Sequence, residues 1–254
     1  MGAPRPAAPE PAEGFQSDSS NFSRATELNY AYADIAFSVP WILGLVVHGP
    51  GLTLFIPALI TGVAAVLVDY VWFYRNGRRE VLLDGERAGG GLIAWWLVFW
   101  FEFLIAFNMG AYLGLVLHVG LSSTLGIQAT VAYLLFFWIL TPIGGRLLGD
   151  LGIGRSLVVT TRRVGGGLSW GRLGATFALH AAVYFAVLSP DLGKSAELFA
   201  IGMLTAGGME LPLYMLRIRP GDDAWKAFVL NTLVEWNYAA PLMYLLLHTM
   251  GLAF

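Results

Sequence analysis

The sequence predicts an all-α membrane protein, a seven-transmembrane-helix bundle with its N-terminus cytoplasmic and its C-terminus outside. Three observations lead there. Hydrophobic residues make up 57% of the 254 positions and charged residues only 13%, where a soluble domain carries about 25% charge. Seven apolar stretches each approach or exceed the roughly 20 helical residues that cross a bilayer. The basic residues also divide very unevenly between the two sides of such a bundle.

The stretches lie near 29–48, 52–74, 91–118, 124–144, 173–189, 196–216 and 226–250. Turn-forming residues separate them: Gly49-Pro50-Gly51, Asn76-Gly77, Asp84-Gly85, Gly144-Gly145, Ser189-Pro190 and Pro220-Gly221. Placing the N-terminal tail and the 2–3, 4–5 and 6–7 loops on one side collects every Lys and Arg except Lys194, fourteen of fifteen. Cytoplasmic loops carry such an excess, so that side is expected to be cytoplasmic in a cell (inner) membrane. Residues 1–28 are polar, with Pro4, Pro6, Pro9 and Pro11 in quick succession. They read as a disordered polar tail ahead of a transmembrane domain spanning 29–254. The long 4–5 loop, about 145–172, reads as a flexible connector, since its Gly-rich runs carry no nucleotide motif.

Composition excludes several function classes. The chain has no cysteine, which removes disulfides, thiolate metal sites and cysteine nucleophiles. A formal net charge of -2 with no basic tract argues against a nucleic-acid partner. The expected partners are the lipid bilayer and a lipid-soluble small molecule.

The features that point to chemistry are four acids inside the apolar stretches: Asp69, Glu102, Glu210 and Glu235. An ionised acid at mid-helix costs roughly 2.5–3.5 kcal/mol on the mild insertion scale. No Lys or Arg shares their depth, so each must face the interior and hold a proton, share one, or meet a cation. Counting 1.5 Å per residue from the expected inner boundary puts Asp69 at roughly 9 Å, Glu210 at roughly 10 Å, Glu235 at roughly 13 Å and Glu102 at roughly 16 Å. His180 lies at roughly 12 Å, and Asp34 sits near the inner end of the first span. Acids and histidine from several helices are therefore expected in one layer of the cytoplasmic half.

Helical spacing surrounds these acids with aromatic and polar neighbours. Trp72 and Phe73 follow Asp69, Phe99 precedes Glu102, Tyr214 is one turn from Glu210, and Asn231 and Tyr238 flank Glu235. Pro212 cannot donate to the Gly208 carbonyl, which is expected to be left free at a kink. Together they predict an aromatic-walled pocket for a greasy substrate, able to stabilise a cation through ring faces. The plainer alternatives are that these aromatics form core or interfacial belt, that Glu210 pairs with Arg217, and that His180 is a hydrogen-bonded core histidine.

His48, His118 and His248 end the first, third and last spans at the outer face. They could bind zinc or copper, but histidine at a helix end is commonly interfacial, and no metal or cofactor is expected. A di-iron carboxylate site lacks its Glu-x-x-His pair. A retinal lysine is also missing, because Lys226 stands at the start of the last span.

Two functions use such acids. One is a membrane-embedded cyclase or isomerase, in which one acid protonates an alkene or epoxide, aromatic faces hold the carbocation and a base ends the reaction. The alternative is a proton- or cation-coupled transporter. The stretches Val66-Leu67-Val68-Asp69-Tyr70-Val71-Trp72 and Val234-Glu235-Trp236-Asn237-Tyr238, with the chain's size and span count, resemble the small integral-membrane terpene cyclases of meroterpenoid pathways. That family's second helix carries a pattern like Asn-x-x-Trp-Glu, where this chain has Ala65, Val68 and Asp69; its last helix favours Asp where this chain has Glu235. The resemblance implies that Asp69 and Glu235 form the acid/base pair.

Overall fold

The computed structural model describes residues 21–68, 79–87, 92–163, 169–188, 191–216, 224–229 and 239–254. Most of these residues are helical. The helices are α1 (Leu28–His48), α2 (Phe55–Ala65), α3 (Leu92–Val119), α4 (Thr124–Leu135), α5 (Thr141–Asp150), α6 (Trp170–Leu188), α7 (Leu192–Met215), α8 (Ala224–Val229) and α9 (Ala239–Thr249). A π-helical turn, Phe136–Leu140, joins α4 to α5 into one continuous rod.

Among the described residues, five segments are long and apolar enough to cross a membrane: Leu28–His48, Gly51–Val68, Glu102–Val119, Thr124–Asp150 and Leu192–Met215. The fifth predicted stretch corresponds to α6, which contains Arg172 and is not among the five. The seventh corresponds to α8 and the short apolar α9, with 230–238 outside the described residues.

Local chemistry accounts for several boundaries. The Ser123 side chain accepts from Gly126 N–H at 2.9 Å and caps α4, and Asp191 accepts from Lys194 N–H at 3.0 Å and caps α7. The α1–α2 corner turns at Pro50 and at Gly51, whose φ of 73° suits glycine alone. Side chains then decide how closely the helices approach. A Cβ on Gly110 would overlap Thr61 and the backbone of Ala58, and one on Gly114 would strike Pro57, so α2 lies tight against α3. On α5, Gly144 and Gly145 receive the rings of Phe37 and Tyr30 from α1. Small residues at such seams allow the close backbone packing on which helix association in lipid depends.

A small sheet at one end of the bundle, hereafter the inner end, departs from the helical expectation. Four strands, β1 (Asn21–Glu27), β2 (Arg79–Leu83), β3 (Glu86–Arg87) and β4 (Leu157–Arg163), pair antiparallel in the order β1-β4-β2-β3. Residues 21–27, expected as the end of a disordered tail, instead pair over their whole length with β4, from Asn21↔Arg163 to Glu27↔Leu157. β4 itself lies in the expected flexible connector, whose earlier part is the inner end of α5. The β2–β3 turn uses Asp84 and Gly85, both at positive φ. Asp84 then bridges to β4, donating N–H to Leu157 O at 2.9 Å and accepting Leu157 N–H at 2.7 Å. β1 passes directly into α1, where Leu28 and Asn29 donate to Ser156 and Gly154 carbonyls at 2.9 and 2.7 Å. Three loops distant in sequence are thereby tied together on one side of the bundle.

Candidate functional site

Interhelical contacts set the depth of each polar group. Asp34–Thr141, Phe37–Phe136 and Trp41–Tyr133 run antiparallel along α1 and the α4–α5 rod. Tyr112 contacts Thr130 and stacks on Tyr133 at 4.1 Å, which registers α3 against the same rod. Tyr133 and Trp138 reach the Thr205 and Gly208 carbonyls and register α7. These pairings place Asp34, Ser38, Trp41, Asn108, Trp138, Thr141 and Glu210 within about two helical turns of one another along the bundle, around the π turn.

Each member is held by its own helix. Asp34, Ser38, Trp41 and Leu45 recur at helical spacing and form the inward stripe of α1. The Thr141 hydroxyl donates to Asp34 Oδ1 at 2.6 Å, within a buried contact between residues 107 apart in sequence. Ser38 Oγ donates back to the Asp34 carbonyl at 2.7 Å. On α7, Pro212 has no N–H for the Gly208 carbonyl, and Trp138 Nε1–H takes that place at 3.1 Å. The expected free carbonyl is thus satisfied by a neighbouring helix. Tyr133, fully buried, donates its hydroxyl to the Thr205 carbonyl at 2.6 Å.

Glu210 is 2% exposed and Asp34 6%. No Lys or Arg occurs in 28–48, 92–119, 124–145 or 195–216, while α5 carries Arg146 and α7 carries Lys194 outside these bounds. The layer therefore brings two carboxyl groups, hydroxyl groups of Thr141 and Ser38 and the Asn108 amide into an aromatic core containing Phe136, Phe137 and Tyr133. Such a set can give and take protons and hydrogen-bond an oxygen atom, within surroundings suited to hydrocarbon. π turns inside α-helices recur at functional sites because they widen the helix and redirect its side chains.

The other predicted site residues are distributed as follows. Asp69, Trp72, Phe73, Asn231, Glu235 and Tyr238 lie outside the described residues, as does the side chain of Phe99. Glu102 is on α3, partly exposed. Tyr214 is buried beside Phe228 of α8, at 6.1 Å. His180 is 1% exposed, and its Nδ1 meets the Thr176 carbonyl at 2.7 Å. Its depth differs from the expected layer. α6 packs on α7 through Tyr184–Phe199 and Phe177–Phe199, so His180 stands level with Phe199. That is eleven residues, roughly 16 Å of helix, from Glu210. Counting from the loop does not register this because depth is set by how α6 packs on α7.

Two of the three histidines expected at the outer face have separate partners. His118 Nδ1 meets the Leu252 carbonyl, His248 stacks on Tyr244 at 5.6 Å, and among the described residues no three His, Cys, Asp or Glu side chains converge as a metal site. Asn108, Thr141 and Trp138 were not singled out by sequence. Asn108 alone left a trace there, as an amide in an otherwise apolar stretch of α3.

Searches against family models, curated proteins and solved structures found no match to this chain.

Proposed function

We propose that the protein is a membrane-embedded cyclase or isomerase acting on a terpenoid or other lipid-soluble substrate by acid–base catalysis within the bilayer. In this reading the bundle has seven spans, with α6 and the segment containing α8 and α9 completing the five, its N-terminus cytoplasmic and its C-terminus outside the cell (inner) membrane. The observation that carries it is the burial of Glu210 and Asp34 among the aromatic side chains around the π turn. Positive charge that develops on a substrate would find carboxyl groups and ring faces already in place, and these need not reorganise. Asp69, Glu235 and Glu102 are the further acids of the reaction, the first two as the cyclase resemblance implies.

The substrate reaches the layer from the lipid. One acid protonates an alkene or epoxide, the cation closes a ring or shifts, and a second group removes a proton. Substrate and product then have equal mass, and no oxidant or cofactor is consumed.

The test supplies membranes containing the full chain with a prenylated phenol and its terminal epoxide, and analyses the extracted lipids by mass spectrometry. Wild type is compared with Asp69→Asn, Glu210→Gln and Glu235→Gln at matched amounts of folded protein. A new isomer of unchanged mass, lost in at least two variants, is the expected result. Unchanged substrate in every sample, with folded protein throughout, sinks the cyclase reading. Proton uptake by liposomes that stops in the same variants would then assign the acids to a coupled transporter.

A further inference from the structure

Asn108 is completely buried at mid-span, and among the described residues neither Nδ2 nor Oδ1 of its amide has a hydrogen-bond partner. The buried indole Nε1 of Trp41 is in the same condition. Buried amides and indoles are nearly always satisfied, so two unsatisfied ones in one layer require an explanation.

They flank the same group of packed rings. The Trp41 ring lies 6.0 Å from Tyr133, and Tyr112 stacks on Tyr133 at 4.1 Å. Asn108 is one turn inward of Tyr112 on that face of α3. Trp41 also packs against the cluster containing Ala111, one turn outward of Asn108. Around these rings α1 and α3 leave three N–H donors, two from the amide and one from the indole, and one amide acceptor unused among the described residues.

We propose that Asn108 and Trp41 bind the hydroxyl group of a neutral isoprenoid alcohol or phenol. This rests on the reading above that a lipid-soluble molecule enters the bundle, and it names the polar group by which that molecule is held. A hydroxyl accepts from the Trp41 and Asn108 N–H groups and donates to Asn108 Oδ1. A hydrocarbon uses none of them. A cation is disfavoured because the unused set is mostly donors. An anion is disfavoured because Asp34 lies two turns from Trp41 on the same stripe and α1, α3 and α4 contain no Lys or Arg. With the oxygen anchored there, the hydrocarbon part extends across the layer toward Glu210. Asn108 and Trp41 act as substrate-binding residues that orient the chain, not as proton donors.

The test is binding, which needs no turnover. Purified full-length protein in detergent is titrated with farnesol and with farnesene, the hydrocarbon of the same skeleton, and affinity is read by a fluorescent-lipid displacement assay. Wild type is expected to prefer farnesol at least tenfold. Asn108→Leu and Trp41→Phe should each reduce that preference several-fold while leaving farnesene binding unchanged. Trp41→Phe removes one N–H and keeps an aromatic ring, so it carries the test if Asn108→Leu does not fold. Equal affinities in wild type, no binding of either compound, or a preference that survives in the variants overturns the proposal; survival would mean that water alone satisfies these groups. A preference without conversion of any isoprenoid keeps this inference and removes the cyclase reading. Conversion without a preference does the reverse.

Discussion

The inner and outer halves of the bundle are built from similar apolar helices but differ in what they do with polar groups. In the outer half the interior is hydrocarbon: Leu113, Leu115, Val116, Leu117, Leu198 and Ile201 are at most 1% exposed. Polar bonds there gather at the rim. Glu197 Oε1 accepts the N–H groups of Leu121 at 2.6 Å and Ser122 at 3.3 Å, Phe254 N–H reaches the Leu117 carbonyl at 3.0 Å, and Tyr244 donates to the Phe254 carbonyl at 3.2 Å. Towards the middle and inner half, acids, hydroxyls and an amide stand inside the core, next to a π turn and a proline within a helix. An acid at the rim ties a loop and remains near water. An acid in the core costs stability, which is tolerable when it serves chemistry. One residue type therefore meets two environments, set by depth.

The largest expected effect separates these roles directly. On the proposed function, Glu210→Gln should lower turnover by about 100-fold or more, the usual contribution of a positioned acid or base, with the melting temperature in detergent shifted by no more than about 3 °C. A matched loss of melting temperature and turnover would make Glu210 structural and erase the contrast. Glu197→Ala should do the opposite, reducing stability by about 1–2 kcal/mol through two lost backbone contacts at a partly exposed site. That corresponds to a fall of about 3–6 °C in melting temperature for a chain of this size, with turnover per folded molecule unchanged.

Two smaller effects sharpen the picture. Trp138→Phe keeps the ring but removes the N–H that satisfies the Gly208 carbonyl. It should cost about 1–2 kcal/mol and, if the π turn positions the layer, also reduce turnover; thermal denaturation and product formation on one sample measure both. Ser123→Ala removes the cap of α4 at the outer rim. It should cost about 1 kcal/mol and leave product formation and farnesol preference as in wild type. A change in either would show that the halves communicate.

Local sequence made much of the helical framework legible. The apolar stretches near 29–48, 91–118 and 196–216 correspond closely to α1, α3 and α7, because a span is specified by its own run of hydrophobic residues. Gly51, Asp84-Gly85 and the Gly208 carbonyl ahead of Pro212 were also readable, since backbone conformation and missing donors act over a few residues. Glu210 announced itself as an acid in an apolar run. Asp34 was visible only as an acid near a helix end.

Long-range packing settled the remainder. Pairing of 21–27 with 157–163 could not be read from either strand, since the hydrogen bonds that make a strand belong to its partner. The Asp34–Thr141 contact and the Trp138 bond to Gly208 join residues 107 and 70 positions apart. His180 moved out of the acid layer because depth follows the register of α6 on α7, and loop counting does not measure that. Sequence thus specified which helices exist and which residues are costly to bury. Packing specified which of those residues meet, because register, tilt and the π turn arise only when helix faces fit together.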